Sequence, residues 1–313
     1  MGVNLRGRSL LTLLDYEPEE VRYLLDVSHS VKAERMTGNR HQRFHGMTLA
    51  MLFEKRSTRT RCAFETAFGE EGGHPVFLSN ADIQLGAKES VEDTARVLGR
   101  MFDAIMFRGF SQETVEMLAD YSGVPVYNGL TDMFHPTQVL ADLMTIEERL
   151  GDVRGLEFVY AGDGRNNMAN SLMIGSALMG MNCTILAPEG LHPDEELLKT
   201  VRSIAEDSGC EVNVTSNREE AIPGADVIYT DVWASMGEED KLKDRIAQLE
   251  PYRVDDDMIA QTDNPDVIFM HCLPAVKGNE VTFDVIEGPH SVVWDEAENR
   301  KHTIKAVMIA TLL

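Results

Sequence analysis

The sequence predicts an α/β fold with two domains, each a parallel sheet flanked by helices. The chain has 313 residues, about twice the length of an average domain. Strand-like runs alternate with helical runs almost from end to end, which is typical of parallel sheets with crossover helices. A short polar turn at 151–155 separates two such series. These observations together favour two α/β domains over one.

The first series forms the first predicted domain, residues 1–150. Strand-like runs lie at 47–54, 74–79, 103–108 and 124–128. Helical runs lie at 17–36, 58–71, 90–101, 111–122 and 136–149. The order is that of one α/β unit.

The second series forms the second predicted domain, residues 151–295. Its strands are expected at 156–161, 182–187, 211–215, 226–230, 267–271 and 291–294. The nearly apolar stretch 171–187 contains two glycines and changes from helical to strand-like character, so we interpret it as a buried helix and strand, not a membrane span. A last helix is predicted at 296–313, and its residues alone do not say which domain it contacts.

Composition excludes several classes of function. The chain has 29 basic and 52 acidic residues, a net charge of −23, so binding to nucleic acid or to anionic membranes is not expected. The first residues show neither a signal peptide nor a myristoylation motif, which favours the cytoplasm. The cysteines are far apart, which indicates free thiols instead of a zinc site or disulfide framework; they are Cys62, Cys183, Cys210 and Cys272.

The first candidate site follows the first strand, at Ser57-Thr58-Arg59-Thr60-Arg61. Open parallel sheets bind ligands at the carboxyl ends of their strands, where helices begin. Hydroxyls, backbone N–H groups and guanidinium groups at a helix start suit an anion such as phosphate. The alternative is an N-cap serine in a solvated turn, but the interleaved arginines favour anion binding.

Two further residues lie at strand ends in the first domain. His135 precedes Pro136 at a predicted helix start, where the helix dipole favours a neutral imidazole that donates to a substrate oxygen. A capping or packing role is the alternative for this histidine. Arg108 ends a strand, and on its own it would more often be a surface charge.

In the second domain, a turn at 162–167 follows the first strand of the series. Gly162 and Gly164 suggest a dinucleotide fingerprint, but Asn167 stands where the third glycine belongs. A dinucleotide-dependent oxidoreductase is therefore an alternative function with incomplete support. Asn166 and Asn167 could instead bind the polar ends of a small substrate.

Asp231 and Cys272 also follow strands of the second series. Asp231 could bind or deprotonate a substrate amine, or simply form an Asx turn. Cys272 could be a thiol of lowered pKa, or an inert residue of the interior. His271 is expected to point to the opposite face of an extended segment, away from Cys272.

Three motifs in this order resemble the aspartate/ornithine carbamoyltransferase family over nearly the whole chain: Ser57-Thr58-Arg59-Thr60-Arg61, His135-Pro136-Thr137-Gln138 and His271-Cys272-Leu273-Pro274. The segments 166–167, 231–237 and 298–300 resemble the members that use ornithine. The resemblance implies two α/β domains, with the last helix returning to the first. It also implies transfer from carbamoyl phosphate to L-ornithine by direct attack of the side-chain amine, in arginine metabolism, without metal or organic cofactor.

The resemblance also implies a role for each matched residue. Carbamoyl phosphate is expected to contact Ser57, Thr58, Arg59, Thr60, Gln84, Arg108, His135, Gln138, Cys272, Leu273 and Arg300. Ornithine is expected to contact Asn167, Asp231, Ser235 and Met236. The catalytic residues would be Arg108, His135, Asp231 and Cys272. Arg108 and His135 would polarise the carbonyl group, and Asp231 and Cys272 would bind the reacting amine.

The family is trimeric, with a loop of the neighbouring subunit completing each site. Residues 84–90 match that loop, and Gln84 is the residue expected to reach the neighbour, with Lys88 the less secure match. Assembly beyond a trimer stays open. A catalytically inactive binding protein is a further alternative, against which the complete set of motifs argues.

Overall fold

The computed structural model describes residues 2–79, 89–233 and 242–313, with only the backbone of residue 242. The chain divides into two compact units. Unit 1 contains Met1–Met144 and Glu298–Leu313, and unit 2 contains Thr145–Ala297. None of the described helices combines the length and apolar character needed to cross a bilayer.

Unit 1 is built on a parallel sheet with the strand order β2-β1-β3-β4. Its strands are β1 (Thr48–Phe53), β2 (His74–Ser79), β3 (Ala104–Arg108) and β4 (Val126–Leu130). The helices in this part of the chain are α1 (Pro18–Met36), α2 (Thr58–Glu70), α3 (Val91–Met101), α4 (Gln112–Ser122) and α5 (Pro136–Leu150). From Thr145 onwards α5 belongs to unit 2. β1 and β3 are almost continuously apolar because helices cover both faces of the sheet.

Unit 2 is built on a five-stranded parallel sheet with the order β7-β6-β5-β8-β9. Its strands are β5 (Glu157–Ala161), β6 (Asn182–Leu186), β7 (Val212–Thr215), β8 (Val227–Tyr229) and β9 (Ile268–Met270). Its helices are α6 (Asn167–Met179), α7 (Glu195–Ser208), α8 (Arg218–Ala221), α9 (Leu242–Leu249), α10 (Asp256–Gln261) and α11 (Phe283–Ile286).

The last helix, α12 (Val293–Leu312), corrects one predicted strand. The strand expected at 291–294 is wrong, because Ser291 makes only an isolated bridge with Phe269 and the helix starts two residues later. Val293 is buried in the core of unit 2 from the first position of the helix, so its apolar character reflects burial and not strand pairing. From Glu298 onwards the helix belongs to unit 1, as the family resemblance implied.

The predicted fold class is confirmed: two parallel sheets, each with flanking helices. In both units the carboxyl ends of the strands face loops that lead into helix starts. Ser57 caps α2 after β1, and Asn166 caps α6 after β5. These caps place the candidate motifs at one edge of each sheet.

Candidate functional site

Helix α2 begins at the carboxyl end of β1 with the motif predicted to hold an anion. The side-chain oxygen of Ser57 accepts a hydrogen bond from the backbone N–H of Thr60 at 3.2 Å, so this serine is an N-cap, as the alternative interpretation proposed. The cap and anion binding are compatible, because the helix start still directs its first N–H groups and its positive dipole end outwards.

Thr60 joins two arginines from distant parts of the chain. Its hydroxyl oxygen accepts from Arg108 Nη1 at 3.0 Å and from Arg300 Nη2 at 3.2 Å. Thr60 is fully buried, and Arg108 and Arg300 are only 8% and 2% exposed. Because the hydroxyl is a neutral acceptor, it fixes the two guanidinium groups without neutralising their charge. The geometry therefore favours an anion beside this pair.

Arg108 is not the surface charge that a strand-end arginine alone would suggest. It is the last residue of β3, and the pairing with β4 shifts register between Phe107 and Arg108. The shifted Arg108 side chain also donates from Nη1 to the carbonyl oxygen of Gly129 at 3.3 Å. The guanidinium therefore lies beside the start of α2, where Thr60 accepts its hydrogen bond.

His135 stands directly before α5 and is almost fully buried. Burial lowers the pKa of its imidazole well below 6.5, and the nearby cations Arg300, Arg108 and Arg59 lower it further. The Thr137 hydroxyl lies 3.4 Å from Nδ1 of the ring. His135 is therefore a neutral hydrogen-bond donor beside a cluster of arginines.

Two further residues of α2 and α5 have side-chain partners. Arg61, part of the predicted anion motif, pairs with Glu65 at 2.9 Å and lies over the ring of Phe77. Asp142, which no sequence motif indicated, is buried one helical turn after Gln138 and accepts a hydrogen bond from it at 2.8 Å.

In unit 2, Asp231 follows β8 and is 8% exposed. Its Oδ1 accepts from the backbone N–H of Val232 at 2.8 Å and from Cys272 Sγ at 3.2 Å. Burial raises the pKa of this carboxyl above 3.8, while the hydrogen bonds from Val232 and Cys272 oppose the shift. The arrangement provides a carboxylate that can accept further hydrogen bonds from a cationic or neutral amine.

Asn166 connects Asp231 to the start of α6. Its Oδ1 accepts from the backbone of Ala169 at 2.8 Å, and its Nδ2 donates to the Tyr160 hydroxyl at 2.7 Å and lies 3.5 Å from Asp231 Oδ2. The next residue, Asn167, is the first of α6. The two adjacent asparagines therefore have different positions. Asn166 caps α6 and donates to Tyr160, whereas Asn167 is the first residue of the helix.

Cys272 Sγ donates a hydrogen bond to Asp231, so the thiol lies beside a carboxylate, an environment that does not favour a thiolate. The expectation that His271 points away from Cys272 is wrong. The side-chain ligand atoms of these three residues all lie within 4.8 Å of one another. β9 ends at Met270 and Leu273 has a φ of +58°, so the alternation of an extended strand does not apply here.

Both ring nitrogens of His271 have a polar partner within hydrogen-bond distance. Nδ1 accepts from the backbone N–H of Leu273 at 2.8 Å, so the ring proton is on Nε2, which lies 3.3 Å from Glu280 Oε1. Glu280 is fully buried, and no sequence pattern singled it out. Aspartate, histidine and cysteine are also metal-ligating types, but here the histidine nitrogens are engaged in hydrogen bonds. The cluster is organised as a hydrogen-bond network.

The turn after β5 does not complete a dinucleotide site. Gly162 has a φ of +154°, which favours glycine, but the helix begins with Asn167 in place of the third glycine. Asp163 in this turn forms ion pairs with Arg165 and Arg245, both in unit 2. Four residues with predicted roles lie outside the described part of the chain: Gln84, Lys88, Ser235 and Met236.

Comparison with known proteins identifies relatives over the entire length. Residues 8–148 match the family model described as the aspartate/ornithine carbamoyltransferase carbamoyl-P binding domain, and residues 154–311 match its Asp/Orn binding domain. Proteins named ornithine carbamoyltransferase from Thermotoga maritima and Caldanaerobacter subterraneus are 68% and 67% identical, with full coverage of both chains.

A solved structure is also similar over almost the whole chain. The ornithine carbamoyltransferase from Pyrococcus furiosus aligns with a TM-score of 0.96 at 47% identity, covering 99% of each chain. Two family models together span nearly the whole sequence, and the named relatives share most of their residues with it. The chain therefore belongs to the aspartate/ornithine carbamoyltransferase family.

Proposed function

We propose that this protein is a carbamoyltransferase that converts carbamoyl phosphate and L-ornithine into L-citrulline and phosphate. The observation that carries the proposal is the buried pair Arg108 and Arg300 on Thr60, beside a neutral His135. This pair supplies positive charge, and the imidazole supplies an uncharged donor. An acyl phosphate needs both kinds of group, one for the phosphate and one for the carbonyl oxygen.

Unit 1 would bind carbamoyl phosphate. The start of α2 provides Ser57, Thr58, Arg59 and Thr60 for the phosphate group, and Arg108 would bridge phosphate and carbonyl oxygen. Gln138 and the carbonyl group of Leu273 would bind the carbamoyl NH₂, while Arg300 and Cys272 would contact the same end. Guanidinium groups suit this task because their fixed donor geometry matches phosphate and carbonyl oxygens.

Unit 2 would bind ornithine. Asn167, Ser235 and Met236 would hold its amino-acid end, and Asp231 with Cys272 would bind the side-chain amine. The amine must lose a proton before it can attack, and the raised pKa of Asp231 makes this carboxylate a better proton acceptor.

In the reaction, the amine nitrogen forms a bond to the carbamoyl carbon and negative charge develops on the carbonyl oxygen. His135 and Arg108 would donate hydrogen bonds to that oxygen, and one such preorganised donor is worth about 3–4 kcal/mol in the transition state. The C–O bond to phosphate then breaks, and phosphate leaves with the bonding electrons. Since the acyl group is already activated, the proposed steps call for no metal or organic cofactor.

An assay of citrulline formation tests the proposal. Purified protein is given carbamoyl phosphate with ornithine, putrescine or aspartate, and we expect product only with ornithine. Arg59→Ala should lower turnover about 100-fold or more, and Asp231→Asn should raise the KM for ornithine. Absence of citrulline with the native protein would overturn the proposal and would support an inactive binding protein.

A homotrimer in the cytoplasm is part of the same proposal, and the family resemblance of residues 84–90 supports the trimer. Sedimentation equilibrium should give a mass about three times the 34.9 kDa of the chain. A monomeric mass together with full activity would contradict a shared site.

A further inference from the structure

Gln138 and Asp142 form a buried polar pair on one face of α5. They are four residues apart, which places both side chains on the same side of the helix, and each is only 1% exposed. Gln138 has a proposed role at the carbamoyl group. Asp142 has no proposed role, although burying a carboxylate carries a cost in free energy.

The contact between Gln138 and Asp142 fixes the orientation of the glutamine amide. Gln138 Nε2 donates to Asp142 Oδ1 at 2.8 Å. A carboxylate has only acceptor oxygens, so it binds the NH₂ side of the glutamine amide and repels the oxygen side. With Nε2 held by Asp142, the glutamine oxygen Oε1 points to the other side. A rotation by 180° would place two oxygens against each other in a buried environment.

We propose that Asp142 is a positioning residue that makes Gln138 present an acceptor oxygen to the acyl group, and so selects a carbamoyl group over an acetyl group. This inference rests on the proposed function, because it takes the acyl phosphate to bind at Gln138.

The selection follows from hydrogen-bond chemistry. A carbamoyl NH₂ and an acetyl CH₃ have nearly the same size, so the shape of a site hardly distinguishes them. An acceptor oxygen can bind the NH₂ but gains nothing from the CH₃, and a buried acceptor left without its partner is costly. If the amide were free to rotate, its NH₂ side could face the ligand and the distinction would weaken.

The test uses a matched pair of stable ligands, phosphonoacetamide and acetonylphosphonate, which differ only in NH₂ against CH₃. Their Kd values are measured by titration calorimetry on the full-length protein. In the native protein we expect phosphonoacetamide to bind at least about tenfold more tightly. In Asp142→Asn, whose side chain can donate or accept, we expect this ratio to fall below about threefold. The Kd of inorganic phosphate should stay within about twofold.

Asp120→Asn is the matched control, because it makes the same change at an exposed position of α4 in the same unit. It should leave all three Kd values unchanged. Gln138→Leu should abolish the preference by itself, and adding Asp142→Asn to it should produce no further change in the ratio. This second variant also decides the question if Asp142→Asn does not fold, since a preference retained in Gln138→Leu would overturn the inference.

An unchanged ratio in folded Asp142→Asn would also overturn it. So would an equal loss of affinity for phosphonoacetamide, acetonylphosphonate and phosphate, which would show a merely structural role. The titrations do not require turnover. A protein that forms no citrulline but shows the ligand preference would therefore refute the proposed transfer reaction. The part of the proposal on which this inference rests, binding of the acyl phosphate at Gln138, would stand.

Discussion

Thr60 lies at the centre of the arginine pair in unit 1. One hydroxyl oxygen accepts hydrogen bonds from both Arg108 and Arg300. Thr60→Val keeps the shape of the side chain but removes the acceptor from two buried cations. We expect the KM for carbamoyl phosphate to rise roughly tenfold to a hundredfold, with the KM for ornithine little changed, in steady-state kinetics.

Thr66→Val is the control on the same helix. The Thr66 hydroxyl is exposed and donates only to backbone carbonyl oxygens of α2, so this change should leave both KM values as they are. An unaltered KM for carbamoyl phosphate in Thr60→Val would show that the arginines keep their positions without the shared oxygen.

Residue by residue, the sequence indicates which chemical groups are available but not how they are linked. The hydroxyls and arginines of the α2 motif are visible as a pattern at a strand end. The link from Thr60 to Arg300 spans 240 positions, and no local spacing encodes it. Asp142 and Glu280 were missed for a related reason: a lone buried carboxylate has no sequence signature, because its burial depends on neighbours brought together by the fold.

At the level of elements, the close packing at the end of β4 requires a glycine. A Cβ added to Gly129 would lie 2.9 Å from Met106 Sδ, 3.1 Å from Thr60 Cγ2 and 3.2 Å from the carbonyl oxygen of Phe107. These atoms belong to β3 and to the start of α2. The strand can therefore approach both elements only if it carries no side chain at this position.

Gly129→Ala should consequently disturb both folding and binding. We expect a loss of about 1–3 kcal/mol in the free energy of unfolding, measured with urea, and weaker binding of carbamoyl phosphate as Thr60 is displaced. Gly69→Ala is the control in α2, where an added Cβ meets nothing within 4 Å, and it should be neutral or slightly stabilising. Equal stability of the two variants would contradict this account.

Strand prediction succeeded where an apolar run pairs with neighbouring strands in a sheet. It failed at 291–294, where the apolar residues are buried without strand pairing. The described strands β1–β9 correspond to predicted runs because buried parallel strands are continuous and apolar. The run at 291–294 has the same appearance, but Val293 already packs in the core as the first residue of α12. Similarly, His271 lies just past the end of β9, where the alternation of strand side chains ends.

For the whole molecule, buried histidines make stability depend on pH. His302 in α12 is fully buried, and burial lowers the pKa of its imidazole from 6.5 to about 4, against the opposing effect of Glu298. The unfolded chain therefore takes up a proton below pH 6.5 that the folded chain does not. The pKa of His135 is shifted in the same direction. Both contributions to stability are complete above pH 6.5 and decline as the pH falls.

We expect the urea concentration at the midpoint of unfolding to decrease as the pH is lowered from 7 to 5. The decrease should be smaller in His302→Gln than in the native protein. Identical slopes in His302→Gln and the native protein would mean that the imidazole takes up its proton in the folded state.

The contact between Thr60 and Arg300 also has a consequence for the order in which the protein is made. The sheet of unit 1 and helix α2 precede unit 2 in the chain, whereas the second guanidinium belongs to α12, in the part of unit 1 that follows unit 2. A nascent chain halted before residue 300 therefore carries the start of α2 with only one of its two buried arginines. The pair of arginines at Thr60 can therefore assemble only after unit 2 has been synthesised.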